Sequence, residues 1–168
     1  MKRSRKSGGF ALAELLIGMV ILVILLSAIS TFLVPGVSST KYAMSQENSL
    51  SKGRMSINRV VDVIRYNPRS VTAPTSAGTI VNQLSFRDED ANVYDIAVTT
   101  DDSGKKSLTI KKNNAIIDTL AEGIAENVTF SLDSGNPNQV KIELTLNDKS
   151  YSASPDVKLS TLVKMENM

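Results

Sequence analysis

The chain has 168 residues and carries 19 Lys and Arg against 17 Asp and Glu. It contains no Cys and no His, which excludes disulfides, thiol chemistry, Cys/His zinc sites and His-based catalytic triads. The sequence also shows no nucleophile–base pair, no glycine-rich phosphate loop and no set of metal ligands. We therefore do not expect an enzyme.

The first 34 residues divide into a basic leader and a long apolar run. Residues 1–9, MKRSRKSGG, carry four Lys and Arg side chains, and residues 10–34 contain one charged residue, Glu14. As a helix, residues 10–34 span roughly 37 Å, which exceeds a hydrocarbon core of roughly 30 Å. Because basic residues beside a first span stay in the cytoplasm, we expect a single-pass helix with a cytoplasmic amino terminus.

A cleaved secretory signal peptide is the competing interpretation of this segment. The apolar run is longer than the usual h-region of about 7–15 residues, and no A-x-A-like cleavage site closes it before Pro35. The small residues Ser27, Ala28 and Ser30 keep this alternative open, but the pattern favours a retained helix.

Glu14 needs a separate explanation, because a carboxylate at the centre of a membrane helix costs about 2.5–3.5 kcal/mol. Residues 9–15, GFALAEL, resemble the type IV prepilin processing motif. That motif has a basic leader, a Gly, a Phe, a glutamate four residues after the Phe, and a continuous apolar helix. Ala11 and Ala13 depart from the commoner Thr and Ile.

The resemblance implies a maturation and assembly pathway. A membrane prepilin peptidase would cut between Gly9 and Phe10 on the cytoplasmic side and methylate the new amine of Phe10. Glu14 would then pair with the terminal amine of a neighbouring subunit, an attraction that a low dielectric strengthens. The implied partners are the peptidase, other pilin subunits and membrane lipid before assembly. An ordinary signal anchor with a chance glutamate is the alternative.

The resemblance also suggests a subtype. Many type IV pilins close a carboxy-terminal loop with a disulfide, and a chain without Cys departs from them. This departure favours a minor pilin or pseudopilin. The stretch 120–130 followed by the strand pattern of 140–146 is similar in layout to minor subunits of the W type in type IV pili and the J type in type II secretion.

The chain after the apolar run predicts a second half of the helix. Pro35-Gly36 predicts a kink or a melted turn, because Pro removes a backbone donor. Residues 35–67 then form an amphipathic helix, which Pro68 ends. Its apolar stripe consists of Leu50, Ile57, Val60, Val61 and Ile64.

Residues 71–78, VTAPTSAG, predict an exposed loop, and apolar residues alternate with polar ones after it. The predicted strands lie at 80–87, 93–100, 107–111, 115–120, 128–132, 140–146 and 157–163. A helix followed by an antiparallel meander is an α+β fold, with the long amino-terminal helix packed on an antiparallel sheet.

Two patterns in the strand region suggest ligands. Asp88, Asp90 and Asn92 have the opening of a calcium loop. Val93 and Thr99 stand where an EF-hand needs Gly and Glu, so an EF-hand is excluded. We favour a solvated acidic turn and no cofactor, with an irregular calcium site as the alternative.

The second pattern is a pair of basic dipeptides, which could offer a basic edge to DNA phosphates. These residues are Lys105, Lys106, Lys111 and Lys112. They lack clear aromatic interleaving, and lysines on edge strands are a common guard against aggregation. Removing residues 1–9 leaves 15 Lys and Arg against 17 Asp and Glu, a formal charge of −2. We therefore do not expect a nucleic-acid partner.

The sequence predicts a minor type IV pilin or pseudopilin, a structural subunit of a pilus or of a secretion or competence pseudopilus. Its predicted segments are a cleaved leader (1–9), a transmembrane and filament-core helix (10–34), an amphipathic half-helix (35–67) and an extracytoplasmic β-rich domain (68–168). It would lie in the inner membrane before it enters a surface filament. The alternatives are a DNA- or surface-binding minor pilin and a membrane-anchored domain that never assembles.

Overall fold

A computed structural model describes residues 8–136, 138–149 and 156–166, without the side chains of residues 8–11 and 34. It contains one helix and eight strands. These are α1 (Gly8–Tyr66), β1 (Ser70–Ala73), β2 (Gln83–Arg87), β3 (Val93–Thr100), β4 (Lys106–Lys112), β5 (Ala115–Leu120), β6 (Ala125–Leu132), β7 (Gln139–Leu146) and β8 (Val157–Lys164). The α+β layout confirms the predicted fold class.

Contacts divide the chain into two compact units, Met1–Lys41 and Tyr42–Met168. The described part of the first unit is helical throughout. The second unit contains the last part of α1 and all eight strands, and it has its own hydrophobic core.

The backbone of α1 stays helical through Pro35, so the prediction of a melted turn at Pro35-Gly36 is wrong, whereas the alternative of a kink stays a prediction. Proline removes one donor, the one that would bond the carbonyl of Thr31, and the turns on both sides keep their own hydrogen bonds. The helix ends at Tyr66, before Pro68 as predicted. Asn67 closes it, because its side-chain Nδ2 donates to the carbonyl of Val63 over 2.9 Å.

The strands form two antiparallel sheets rather than one. Sheet A has the order β1-β2-β3-β4-β5, and sheet B has the order β6-β7-β8. The two sheets are linked by an antiparallel bridge between Val81, just before β2, and Phe130 of β6. The Val81 amide donates to the Phe130 carbonyl over 2.9 Å, and the Phe130 amide donates back over 2.8 Å.

The stretch predicted as an exposed loop at 71–78 begins with a strand. Val71 of β1 lies opposite Phe86 of β2, and the register shifts between Val71 and Ala73. A cis peptide bond joins Ala73 to Pro74, and turns follow. The pattern missed β1 because the strand is short, lies at an edge and carries a bulge.

The core lies between the end of α1 and both sheets. Its largest fully buried side chains include Ile64 of the helix, Phe86 and Ile96 of sheet A, and Phe130 and Leu144 of sheet B. Each of these is less than 2% exposed, so a single continuous core stabilises the second unit.

The buried face of α1 differs in part from the predicted apolar stripe. Ile57, Val60 and Ile64 are buried as predicted, but Leu50 and Val61 are only half-buried. The buried positions that precede Ile57 are small: Ser45, Ser49, Gly53 and Ser56. They allow the helix backbone to approach sheet B closely.

Gly53 shows how close this approach is. A Cβ atom at Gly53 would lie 2.6 Å from Cδ1 of Leu159 in β8 and closer still to Cδ1 of Leu146 in β7. Side chains with any bulk at this position would therefore push the helix away from the sheet. A search for apolar periodicity alone misses such a contact, because it treats Gly and Ser as polar.

Candidate functional site

The apolar part of α1 has no packing partner within its own unit. Its large apolar side chains from Leu12 to Leu33 are between 52% and 80% exposed. Among the described residues, α1 is the one helix long and apolar enough to cross a membrane. Burying such a surface is favourable by about 25 cal/mol per Å², so lipid or other protein must cover it.

The polar side chains within this segment form hydrogen bonds to their own helix. Ser27, Ser30 and Thr31 donate to the carbonyls of the residues four positions earlier over 2.8–2.9 Å. Thr40 does the same with the carbonyl of Gly36 over 2.9 Å. Hydroxyls satisfied in this way can lie in an apolar environment without an unpaired polar group.

Gly9 and Phe10 lie in the first turn of α1, because the helical backbone begins at Gly8. Their side chains and the basic leader, residues 1–7, lie outside the described part of the chain. Glu14 follows Phe10 by four positions, so the two residues share one face of the helix.

Glu14 is exposed, and none of the described residues lies within ion-pair distance of it. The other exposed side chains around it are apolar, which makes this carboxylate the one acidic group between Leu12 and Leu33. A carboxylate placed in an apolar helix needs a cationic partner. The described part of the chain supplies none.

The comparisons with known proteins agree with this segment. Residues 4–30 match the family model described as the prokaryotic N-terminal methylation motif. No curated protein and no solved structure matches the chain.

The match identifies the prepilin-type signature at the amino terminus. Together with the long helix and the antiparallel sheets, it supports a type IV pilin-like or pseudopilin-like precursor, which is a structural subunit. The signature and the apolar helix are also consistent with anchoring in the inner membrane.

The acidic turn considered as a calcium site is held by hydrogen bonds of its own. Asp88 Oδ1 accepts from the backbone amides of Asp90 and Asn92 over 3.0 and 2.9 Å. Asp88 Oδ2 accepts from Asn92 Nδ2 over 2.9 Å, and Lys112 Nζ lies 3.7 Å away. The side-chain hydrogen bond from Asn92 is the main cause that lowers the pKa of Asp88. Within the described ranges, no group of three or more acidic side chains is placed to hold a metal.

The four lysines of the predicted basic edge do not form one patch. Lys106 and Lys112 lie on the face of β4 that also carries the buried Leu108 and Ile110, because side chains alternate along a strand. Lys111 lies one position away from Lys112 and Ile110 and therefore points to the other face of the sheet.

Both lysines on the core face of β4 have partners. Lys106 Nζ lies 2.8 Å from Glu126 Oε2, and Lys112 Nζ lies 5.3 Å from the centre of the Tyr94 ring. The interaction with Tyr94 is the main cause that raises the pKa of Lys112. Lys105 is exposed at the preceding turn, so the prediction of a basic edge now rests on Lys105 and Lys111.

The structure adds one charged cluster that the sequence did not indicate. Glu126 accepts from Lys106 over 2.8 Å and from Lys149 over 2.5 Å, and its side chain is 24% exposed. These two hydrogen bonds lower the pKa of Glu126. The cluster joins sheet A to sheet B. Glu126 reaches Lys106 because it is the extra residue of a β-bulge, which redirects its side chain.

Proposed function

We propose that this chain is a minor type IV pilin or pseudopilin, made as a membrane-stored precursor and assembled through its amino-terminal helix. Prepilin peptidase cuts between Gly9 and Phe10 and methylates the amine of Phe10. The observation that carries the proposal is the methylation motif at residues 4–30, which coincides with a helix whose apolar side chains are exposed.

The assembly step in this proposal depends on Glu14. In the membrane, the carboxylate lies near the start of the apolar segment and has no cationic partner among the described residues. In a filament, the amine of Phe10 in the adjacent subunit neutralises it, and the ion pair fixes the axial position of that subunit. The exposed apolar surface then packs against neighbouring helices, and the second unit selects partners and position.

Intact mass combined with amino-terminal sequencing of the protein from its native membrane tests the maturation. A chain that begins at methylated Phe10 is the expected result. A chain that keeps residues 1–9 where the peptidase is active contradicts the proposal. That result would favour the other candidate, a single-pass membrane-anchored domain that does not assemble, and would leave Glu14 without a role.

A minor pilin that captures DNA or a surface is the second candidate within the same class. It rests on Lys105 and Lys111, whose ammonium groups have no ion pair with the described residues. Binding through them would fall steeply as salt rises and would vanish in Lys105→Glu/Lys111→Glu. The subtype, W or J, and the machine in which the subunit works follow from the filament with which it copurifies.

A further inference from the structure

The two sheets end in four edge strands: β1, β5, β6 and β8. Three of these strands carry a β-bulge, with Thr72, Ile117 and Glu126 as the extra residues. A bulge twists an edge and interrupts the row of amides and carbonyls with which another strand would pair. β6 is also covered near Phe130 by the bridge to Val81. These three edges are therefore protected against an added strand.

Within the described residues, the edge of β8 has neither a bulge nor a bridge to another strand. It pairs with β7 over eight consecutive positions, from Gln139↔Lys164 to Leu146↔Val157, without a register shift. On its other side, the backbone of residues 157–164 makes no hydrogen bond to the described part of the chain. Eight residues in a regular strand give a straight edge of roughly 26 Å.

The exposed side chains of β8 are basic around one apolar residue. Leu162 is 54% exposed, and Lys158 and Lys164 are exposed on either side of it. On β7, Lys141 lies opposite Leu162 and pairs with Glu143 over 2.8 Å. The face next to this edge therefore has three lysines for one glutamate, and its charge complements an acidic strand.

We propose that the free edge of β8 binds an extended, acidic segment of another protein as an additional strand of sheet B. Backbone hydrogen bonds to residues 157–164 supply the affinity. An apolar side chain of the segment packs on Leu162, and acidic side chains on either side of it pair with Lys158 and Lys164. This binding depends on the second unit alone and does not require filament assembly.

A second copy of this chain fits the edge poorly. Two β8 strands paired antiparallel about Thr161 would place Lys158 of each copy opposite Lys164 of the other. Like charges directly opposite each other on paired strands are destabilising. The same lysines thus oppose self-pairing and attract an acidic strand.

The test uses the full chain in detergent micelles and two synthetic eight-residue peptides of alternating Val and Thr. One peptide has glutamates at both flanks, and the other has lysines there. We expect the acidic peptide to bind at least tenfold more tightly, measured by fluorescence anisotropy. It should also slow amide hydrogen exchange in residues 157–164 and leave exchange in β5 unchanged.

Matched variants distinguish binding at the edge of β8 from nonspecific binding to exposed apolar residues. Leu162→Ser removes the apolar contact without changing the charge and should weaken binding of the acidic peptide at least tenfold. Ile116→Ser makes the same change at a 59% exposed residue of the bulged strand β5 and should leave binding unchanged. Lys158→Glu/Lys164→Glu should reverse the preference toward the lysine peptide.

Three results would overturn the proposal. The first is no binding of either peptide at millimolar concentration. The second is equal loss of binding in Leu162→Ser and Ile116→Ser. The third is a dimer, seen by sedimentation, that Leu162→Ser dissociates, because it would assign the edge to a second copy.

Discussion

The two units of this chain bury their apolar residues in opposite ways. Tyr42–Met168 encloses its apolar side chains in its own core, where Leu84 is 1% exposed. In Met1–Lys41, side chains of the same type remain outside, and Leu22 is 58% exposed. The second unit therefore has a hydrophobic core of its own, whereas the first unit leaves its apolar surface for lipid or other protein to cover.

The largest expected effect is on assembly and involves Glu14. Glu14→Ala removes one partner of the proposed ion pair with the amine of Phe10, and loss of such a partner in an apolar setting costs about 3–5 kcal/mol. We expect cleavage after Gly9 to stay largely intact and incorporation into filaments to fall by roughly a hundredfold or more. Immunoblots of sheared filaments and of membranes measure the two steps separately.

Glu47→Ala is the matched control, because Glu47 is an exposed carboxylate of the same helix within the second unit. It should leave both cleavage and incorporation unchanged. Normal incorporation of the Glu14→Ala protein would defeat the assembly role proposed for this residue.

The second prediction compares equal truncations in the two units. Leu84→Ala should lower the free energy of unfolding of the second unit by about 2–5 kcal/mol, because it leaves a cavity in the core. Leu22→Ala should leave that free energy unchanged. Urea unfolding of the full chain in detergent, followed by tyrosine fluorescence, makes the comparison. Equal losses in both variants would show that the units do not fold independently.

The third prediction uses two glycines of α1. Gly53→Leu should destabilise the second unit by about 1–3 kcal/mol, because the new side chain overlaps Leu146 and Leu159. Gly36→Leu is the control, since an added Cβ at Gly36 meets nothing within 4 Å. Thermal unfolding of both variants checks the difference. An unchanged melting temperature for Gly53→Leu would mean that the helix can move off sheet B without loss.

The fourth prediction concerns pH. A carboxyl whose pKa is lowered by folding stabilises the fold above its unfolded pKa, and this stabilisation is lost as the pH falls through the folded pKa. The pKa of Glu126 is lowered by Lys106 and Lys149. Glu126→Gln should therefore cost about 1 kcal/mol at pH 7, and this cost should disappear as the pH falls through the lowered pKa that Glu126 has in the folded protein.

Urea unfolding of the wild-type chain and of Glu126→Gln at several pH values measures how the difference between their free energies of unfolding shrinks at low pH. Glu143→Gln is the control, because the ion pair of Glu143 with Lys141 is half exposed on both sides. It should change little at any pH. A constant difference between wild type and Glu126→Gln down to pH 3 would contradict an electrostatic origin.

The smallest expected effect is an increase in the stability of the second unit. The Oγ atom of Ser49 is buried and has no hydrogen-bond partner among the described residues. Ser49→Ala should stabilise the second unit by up to about 1 kcal/mol, because it removes an unpaired buried hydroxyl and favours the helix. Ser27→Ala, which removes a hydroxyl bonded to Val23, should leave the second unit unchanged. A loss of stability in Ser49→Ala, seen by urea unfolding, would reveal a partner for that hydroxyl.

Much of the fold could be predicted from the sequence, because strands with one buried face alternate visibly. Val93–Thr100 and Ala115–Leu120 were predicted with the bounds that the structure has. Apolar periodicity could not show the close contact at Gly53, since closeness depends on an absent side chain. It could not show the division into two sheets either, because in the described residues one isolated bridge links the sheets, from Val81 before β2 to Phe130 of β6.

The candidate site also has one part that the sequence could indicate and another part that it could not. The processing motif at Gly9, Phe10 and Glu14 is linear, so the sequence alone could suggest it. The cluster around Glu126 depends on a bulge that turns one side chain toward another sheet, and no pattern along the chain indicates it. The prediction of a melted turn at Pro35 was wrong because the hydrogen bonds of the neighbouring turns maintain the helix there, and the identity of one residue does not reveal them.

The hydroxyls of Ser27, Ser30, Thr31 and Thr40 have a consequence for how the amino-terminal helix changes its surroundings. Each of them already donates to a carbonyl of its own helix. These hydrogen bonds stay intact when the segment moves from lipid to detergent or onto a protein surface. The four hydroxyls therefore need no new hydrogen-bond partner in the new medium. Apart from Glu14, which keeps its need for a cationic partner, the segment presents hydrocarbon to each of these media, and the exchange between them costs none of the hydroxyl hydrogen bonds.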